Sequence, residues 1–206
     1  MTIDTIFSIA VLIMSVVIHE VSHGYAALAE GDQTAKMARR LTLNPLKHLD
    51  PVGSVLVPLL TSLAGFTFGW AKPVPYNPYN LRNKRWGEAI VAAAGPLSNI
   101  LIAVVFGLII RGSILYGLAL SAAFLKIAGI IVLINLVLAI FNLVPMPPLD
   151  GSKLVLSVLP YHLSEPFRQW LERYGLILIL VFIFFLWRLV SPVILFLFRI
   201  LTGLPL

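Results

Sequence analysis

Long apolar runs separated by short polar stretches organise the sequence. Three runs, at 5–29, 88–110 and 127–144, carry at most one charged residue each. Each is long enough to cross a bilayer as a helix, which takes ~17–25 residues. Residues 52–66 are also apolar, but this stretch is short and interrupted by Gly and Pro. It therefore predicts a re-entrant or short extended segment rather than an independent span.

The last third of the chain is less regular. Residues 145–151 contain three prolines and cannot form a regular helix. Residues 152–174 are amphipathic, and 175–206 are apolar and fit either one kinked span or two. We predict an all-α, polytopic membrane helix bundle of about four to six helices, with 1–206 forming a single integral-membrane domain.

The composition supports a membrane protein. Hydrophobic residues make up 59% of the chain and charged residues 12%, whereas a soluble domain carries roughly half and a quarter. The mean hydropathy is +0.96. Too few polar groups remain to cover a surface that faces water, so membrane lipid is the expected partner of much of the surface. Cysteine is absent, so any metal must be bound by His, Asp or Glu.

The net charge of +6 comes from basic residues in the loops. Loops 30–51, 67–87 and 146–174 carry four, four and three basic residues, against two in 111–126. The positive-inside rule places the first three loops in the cytoplasm. Basic residues interleaved with aromatics at strand spacing are absent from the sequence, and we predict no nucleic-acid partner.

The first apolar run contains the sequence His19-Glu20-Val21-Ser22-His23. Histidines four residues apart on a helix lie one turn apart on the same face, so both can reach one metal ion. Glu20 lies beside that ion and can take a proton from a zinc-bound water without being a ligand. A histidine pair bonded to a carboxylate is the structural alternative, but ionisable groups within an apolar span usually mark function.

A catalytic zinc usually has three protein ligands, and Asp150 is the best third candidate. It is the only charged residue between Lys126 and Lys153 and follows the proline-rich stretch at the end of an apolar run. Asp150 could instead cap a helix that begins near Ser152. His48 and Asp50 are rivals, but they lie in a basic loop and fit solvated or turn residues better.

The loop charges place the first span running toward the cytoplasm, and 127–144 likewise. His19, His23 and Asp150 then all lie nearer the cytoplasmic side, which supports their forming one site. The short chain without a glycosylation sequon favours a prokaryotic plasma membrane.

The sequence resembles the site-2 protease family of intramembrane zinc metalloproteases. The resemblance rests on five motifs in the family's order: HEVSH (19–23), LNPLKHLDPVG (43–53), GWAKPVPYNP (69–78), AGPLSN (94–99) and NLVPMPPLDG (142–151). It implies that His19, His23 and Asp150 bind Zn²⁺ and that Glu20 is the general base. It also implies that the substrates are transmembrane segments of other proteins. The chain looks like a minimal form without PDZ or CBS modules.

Two further groups of residues are candidates for catalysis and substrate binding. Asn142 and Asn99 could each donate a hydrogen bond to the oxyanion, or could bond between helices instead. The stretch from Trp70 to Pro78 is expected to be extended and could lie beside an unwound substrate, or could be a plain loop. The substrate-binding candidates within it are Trp70, Pro73, Val74 and Pro75.

Two other functions compete with proteolysis. A membrane metal carrier or sensor also uses intramembrane His and Asp. Such a protein has no need of Glu20 as a base, and it needs polar residues along a pathway, which 100–110 lacks. A purely structural bundle is the second alternative, and the proline-broken segment before Asp150 argues against it.

Overall fold

The computed structural model describes residues 3–57, 71–182, 185 and 187–204, and these contain helices but no strand. Three of the described helices are long and apolar enough to cross a membrane. The apolar part of the last helix, Val190–Thr202, is shorter. The predicted all-α membrane fold is confirmed. The helices are α1 (Ile3–Ala29), α2 (Thr34–Met37), α3 (Gly87–Leu115), α4 (Ala122–Asn142), α5 (Asp150–Val158), α6 (Tyr161–Val181) and α7 (Trp187–Thr202).

Helix α3 lies at the centre of the described bundle, where it contacts α1, α4, α5 and α7. It continues through Pro96, although a proline inside a helix removes a backbone hydrogen bond. Where α3, α4 and α7 meet, the buried core consists of Ala103, Ile110, Ala128, Val132, Leu136, Ile194 and Phe198. Small residues bring the helices close together: a Cβ on Gly107 would lie 2.7 Å from the Cβ of Leu201.

The C-terminal part divides differently from the sequence pattern. Helix α6 runs from Tyr161 to Val181, so the change of composition near 174 falls inside a helix. Helix α7 then begins at Trp187. Within the described residues, 175–206 therefore contains the end of α6 and all of α7.

Residues 71–77, in the connection between α1 and α3, form no helix, strand or turn, as the prolines predicted. Pro73, Pro75 and Pro78 restrict the residues before them to extended backbone, so we name residues 71–77 the extended segment. Hydrogen bonds tie this segment to the loop that precedes it. The Lys72 N–H donates to His48 O at 2.8 Å, and Arg40 donates to Lys72 O at 2.8 Å. At the far end of the segment, the Asn77 N–H donates to Asp32 Oδ2 at 2.7 Å.

Short turns surround the extended segment. They are 3₁₀ turns at Pro45–His48 and Pro78–Asn80 and a π-helical turn at Pro51–Leu56. Most of the predicted re-entrant stretch falls in residues 58–70, outside the described residues.

Candidate metal and catalytic site

Helix α1 presents His19 and His23 on one face, as their spacing predicts. The two Nε2 atoms are 3.1 Å apart, and the rings meet nearly at right angles, with an interplanar angle of 86°. Both residues are buried, at 5% and 8% exposed. The helix therefore directs two imidazole nitrogens at one point inside the bundle.

Asp150 reaches the same point from the other end of the sequence. Its Oδ2 lies 3.1 Å from His19 Nε2 and 3.2 Å from His23 Nε2. Helix α5 begins at Asp150 itself, and Leu149 occupies the N-cap position. The carboxylate faces the imidazoles, which disagrees with the alternative of a cap for a helix starting near Ser152.

Gly151, the second residue of α5, lets the start of this helix lie close to the residues that follow α4. A Cβ at this position would collide with the carbonyl oxygens of Leu143 and Val144. Only glycine can follow Asp150 this close to the end of α4, so Gly151 fixes where the Asp150 carboxylate points.

The hydrogen bonds of the two imidazoles determine what the site can hold. His19 Nδ1 lies 2.6 Å from Asn99 Oδ1, and His23 Nδ1 lies 2.6 Å from Val91 O. Both partners are acceptors, so each Nδ1 carries the proton and each Nε2 presents a lone pair. Two lone pairs and a carboxylate oxygen thus converge, an arrangement that a cation would satisfy.

The spacing of the three ligand atoms fits Zn²⁺. Nitrogen and oxygen ligands about 2.0–2.1 Å from a tetrahedral zinc lie roughly 3.3 Å from one another. The separations here are 3.1, 3.1 and 3.2 Å. Among the residues that the structure describes, His19, His23 and Asp150 are the one group of three such side chains with the spacing to hold a metal ion.

Gly95 on α3 lies directly against the two imidazoles. A Cβ at Gly95 would be 2.5 Å from the Nε2 atoms of both His19 and His23. Any side chain here would therefore crowd the Nε2 atoms of both imidazoles. The AGPLSN motif thus provides room for the metal site as well as close helix packing.

Glu20 lies half-buried one residue after His19, beneath the extended segment. Its Oε2 accepts a 2.9 Å hydrogen bond from the backbone N–H of Val74. Val74 is buried, whereas its neighbours Pro73 and Pro75 are exposed and half-buried. Of the four residues predicted to bind substrate, Val74 therefore contacts Glu20, Pro73 and Pro75 flank it in the chain, and Trp70 is outside the described residues.

The structure separates the two asparagines considered for the oxyanion. Asn99 is fully buried, and its amide nitrogen donates to Asn135 Oδ1 at 2.8 Å and contacts Ser15 O at 3.4 Å. Both N–H groups of Asn99 are directed at these oxygens, which leaves none for an oxyanion. Asn99 thus makes the interhelical contacts of the structural alternative. Asn142 is half-buried, and its amide donates to Leu138 O at 2.9 Å.

The rival ligands lie in the loop after α1. His48 ends the 3₁₀ turn Pro45–His48, is only 2% exposed and donates from Nε2 to Thr42 O at 2.9 Å, so it fits the turn alternative and not the solvated one. Asp50 is a turn residue, as expected, since it accepts hydrogen bonds from the N–H groups of Val52 and Gly53.

Sequence reasoning missed the polar contacts behind His19. Asn135 and Ser15 lie next to Asn99, and both are buried. Ser15 precedes His19 by four residues and so lies on the same helix face. This spacing could have predicted that Ser15 lies close to His19. Val91 is beyond sequence reasoning, because its backbone carbonyl makes the contact.

Comparison with known proteins gives a consistent picture. Residues 112–186, which include Asp150 but not His19 and His23, match peptidase family M50. The chain is 39% identical over 179 residues to YwhC of Bacillus subtilis (strain 168), named a putative zinc metalloprotease, with 85% of this chain and 78% of the relative covered. It is 30% identical over 174 residues to Rip2 of Mycolicibacterium smegmatis, which has the same description, with 80% and 63% covered.

No solved structure matches the chain. The similarity to YwhC extends over most of both proteins, and the three apolar helices suit a membrane enzyme. The chain therefore belongs to peptidase family M50, the site-2 protease family of intramembrane zinc metalloproteases.

Proposed function

We propose that the protein is a zinc endopeptidase that hydrolyses peptide bonds within transmembrane segments of other membrane proteins. His19, His23 and Asp150 hold the metal, and Glu20 is the general base. The observation that carries the proposal is the convergence of three acceptor atoms, 3.1–3.2 Å apart, beside a fourth ionisable group on an apolar helix. The relatives' description as zinc metalloproteases supports the choice of metal.

The chemistry divides between the metal and Glu20. When bound, Zn²⁺ supplies Lewis acidity, which favours ionisation of water and polarises a peptide carbonyl. The Glu20 carboxylate takes a proton from the attacking water and passes it to the departing amide nitrogen. The Val74 N–H bonded to Glu20 Oε2 holds that carboxylate in one orientation.

The extended segment is our candidate for substrate binding. A peptide bond inside a helix is shielded from attack, so the substrate must unwind, and an extended partner can align with it. Pro73 and Pro75 keep the segment extended before the substrate arrives, which lowers the entropy cost of binding. Of the other two candidates, Val74 has a buried side chain and would contribute its backbone, and Trp70 lies outside the described residues.

For the oxyanion donor we retain Asn142. An amide has two N–H hydrogens, and one of those on Asn142 is used by Leu138 O. The second could donate to the oxyanion that forms as the carbonyl is attacked.

The loop charges support an orientation for the enzyme. With the basic loops in the cytoplasm, α1 and α4 both run inward, and the metal site lies toward the cytoplasmic side. The bacterial relatives support a prokaryotic plasma membrane. We treat residues 1–206 as one integral-membrane metalloprotease domain.

A metal carrier or sensor is the alternative function. A carrier would place polar groups along a route across the membrane, yet residues 100–110 of α3 are all apolar. It would also have no use for a carboxylate held beside the ligands. The position of Glu20 under the extended segment therefore favours proteolysis.

The test compares two variants in purified protein incubated with single-span membrane proteins. Glu20→Gln should keep its zinc and lose cleavage by at least about 100-fold, since general-base catalysis contributes roughly 10²–10⁴. Glu165→Gln changes an exposed carboxylate on α6 and should match the wild type. Cleavage by Glu20→Gln at the wild-type rate would refute the protease assignment to this site.

A further inference from the structure

A buried polar network connects His19 to two helices beyond its own. Ser15 on α1, Asn99 on α3 and Asn135 on α4 are at most 4% exposed. Buried amides in an apolar bundle need hydrogen-bond partners, and these three residues supply one another's. The network therefore lies at the point where the three long helices meet.

The bonds form a chain with a fixed direction. His19 Nδ1–H donates to Asn99 Oδ1 at 2.6 Å, and the Asn99 amide donates to Asn135 Oδ1 at 2.8 Å. The Asn135 amide then donates to Ser15 Oγ at 3.0 Å and to Ile131 O at 2.8 Å. Because each amide donates onward, Asn99 can only present its oxygen to His19.

We propose that Asn99, held by Asn135, is a positioning residue that sets the affinity of the site for its metal. It fixes the proton of His19 on Nδ1 and so keeps the Nε2 lone pair directed at the metal position. This inference rests on the proposed metal site. Partners of this kind behind a metal-bound histidine typically contribute 10–100-fold to metal affinity.

The two histidines differ in how they are held. His23 Nδ1 bonds to the backbone carbonyl of Val91, which no substitution removes. His19 depends on a side chain, so its orientation is open to mutation. Substituting Asn99 should therefore alter the orientation of His19 and leave His23 in place.

The network also explains how α4 is held near α1. The Asn135 amide donates to Ser15 Oγ across the two helices. The chain that leaves α4 at Asn142 reaches Asp150 only eight residues later. The residues that orient one ligand thus also hold the helix that delivers another.

The test is a competition assay for zinc against a chelator in purified protein. Asn99→Leu is close in size but offers no acceptor, and its zinc affinity should fall about 10–100-fold. Asn99→Asp keeps an oxygen for His19 Nδ1–H but loses the donor to Asn135 Oδ1, so its zinc affinity should fall less than that of Asn99→Leu, because carboxylates commonly fill this role. Cleavage by Asn99→Leu should rise with added zinc, whereas cleavage by the wild type should not.

Ser113→Ala is the matched control. It removes a buried hydroxyl from the same helix, bonded to Ile110 O, without touching His19. Its zinc affinity should be unchanged. If Asn99→Leu does not fold, Asn135→Leu provides the test. It removes the acceptor of the Asn99 amide and should also weaken zinc binding.

The outcomes separate this inference from the function it rests on. Wild-type affinity in Asn99→Leu, or in Asn135→Leu where that variant is needed, would overturn the positioning role. The positioning role would also be overturned if Asn99→Asp bound zinc as weakly as Asn99→Leu, because the acceptor oxygen would then have no effect on zinc affinity. A wild-type protein that binds no zinc would instead remove the proposed metal site.

Discussion

The backbone N–H of Val74 donates a 2.9 Å hydrogen bond to Glu20 Oε2, which joins residues 54 positions apart. Through this bond the extended segment lies against the carboxylate that we propose as general base. The segment's other contacts, at Lys72 and Asn77, anchor it on both sides of Val74. The base and the proposed substrate-binding surface therefore form one unit.

Replacing Val74 tests this unit. Val74→Pro deletes the N–H and should reduce kcat/KM about tenfold or more, since a hydrogen bond to a charged group contributes ~1.5–3 kcal/mol. Val74→Ala shortens the same side chain but keeps the N–H, and its kcat/KM should exceed that of the proline variant. Both should retain zinc. Equal cleavage by the two variants would show that the bond to Glu20 has no catalytic role.

Removing the carboxylate of Asp150 tests the third ligand. Asp150→Ala should lose most of its zinc, measured by elemental analysis after dialysis, because two imidazoles alone seldom retain the metal. Asp4→Ala serves as the control, since it removes an exposed carboxylate paired with Lys126. Equal zinc content in the two variants would take Asp150 out of the ligand set.

The sequence predicted the two imidazoles because a four-residue spacing on a helix needs only local geometry. It also predicted Asp150, 131 positions from His19, because a lone acid after a proline-rich stretch stands out in an apolar sequence. These arguments used residue type and spacing alone. They singled out the three side chains that the structure brings within 3.2 Å of one another, without any knowledge of helix packing.

The roles of Gly95 and Asn99 depend instead on which faces of α1 and α3 meet. Helix α3 is apolar on all sides, so its sequence carries little information about the face it turns toward α1. The sequence therefore could not show whether the Asn99 amide is available to an oxyanion or bonded between helices. The amide points at Asn135 and Ser15, and only packing could reveal that.

Gly95 offers a test of the space around the metal position. Gly95→Ala should sharply reduce zinc content and cleavage, because its Cβ would lie 2.5 Å from both Nε2 atoms. Gly112→Ala on the same helix is the control, as nothing lies within 4 Å of a Cβ there. The control should keep full activity and gain roughly 0.5–1 kcal/mol in stability, as alanine favours a helix over glycine. Normal zinc content in Gly95→Ala would show that a Cβ at this position does not crowd the two Nε2 atoms.

Asp32, which follows α1, links the helix end to the extended segment. It is fully buried, and its carboxylate accepts hydrogen bonds from Thr34, Asn77 and Asn80. Burial by itself would raise the pKa of Asp32, but these hydrogen bonds outweigh it and hold the pKa below its ordinary value. The folded protein therefore favours the charged form.

A depressed pKa in the folded state makes the contribution of Asp32 to stability depend on pH. The contribution is full above the unfolded pKa of ~3.9 and is lost as pH falls through the lower folded value. Asp32→Asn should thus lower the free energy of unfolding by about 1–3 kcal/mol near pH 7. The gap between variant and wild type should narrow below roughly pH 4, as wild-type Asp32 becomes protonated. Unfolding in detergent at several pH values measures this gap, and a gap that stays constant down to pH 2 would contradict the ionised, hydrogen-bonded Asp32.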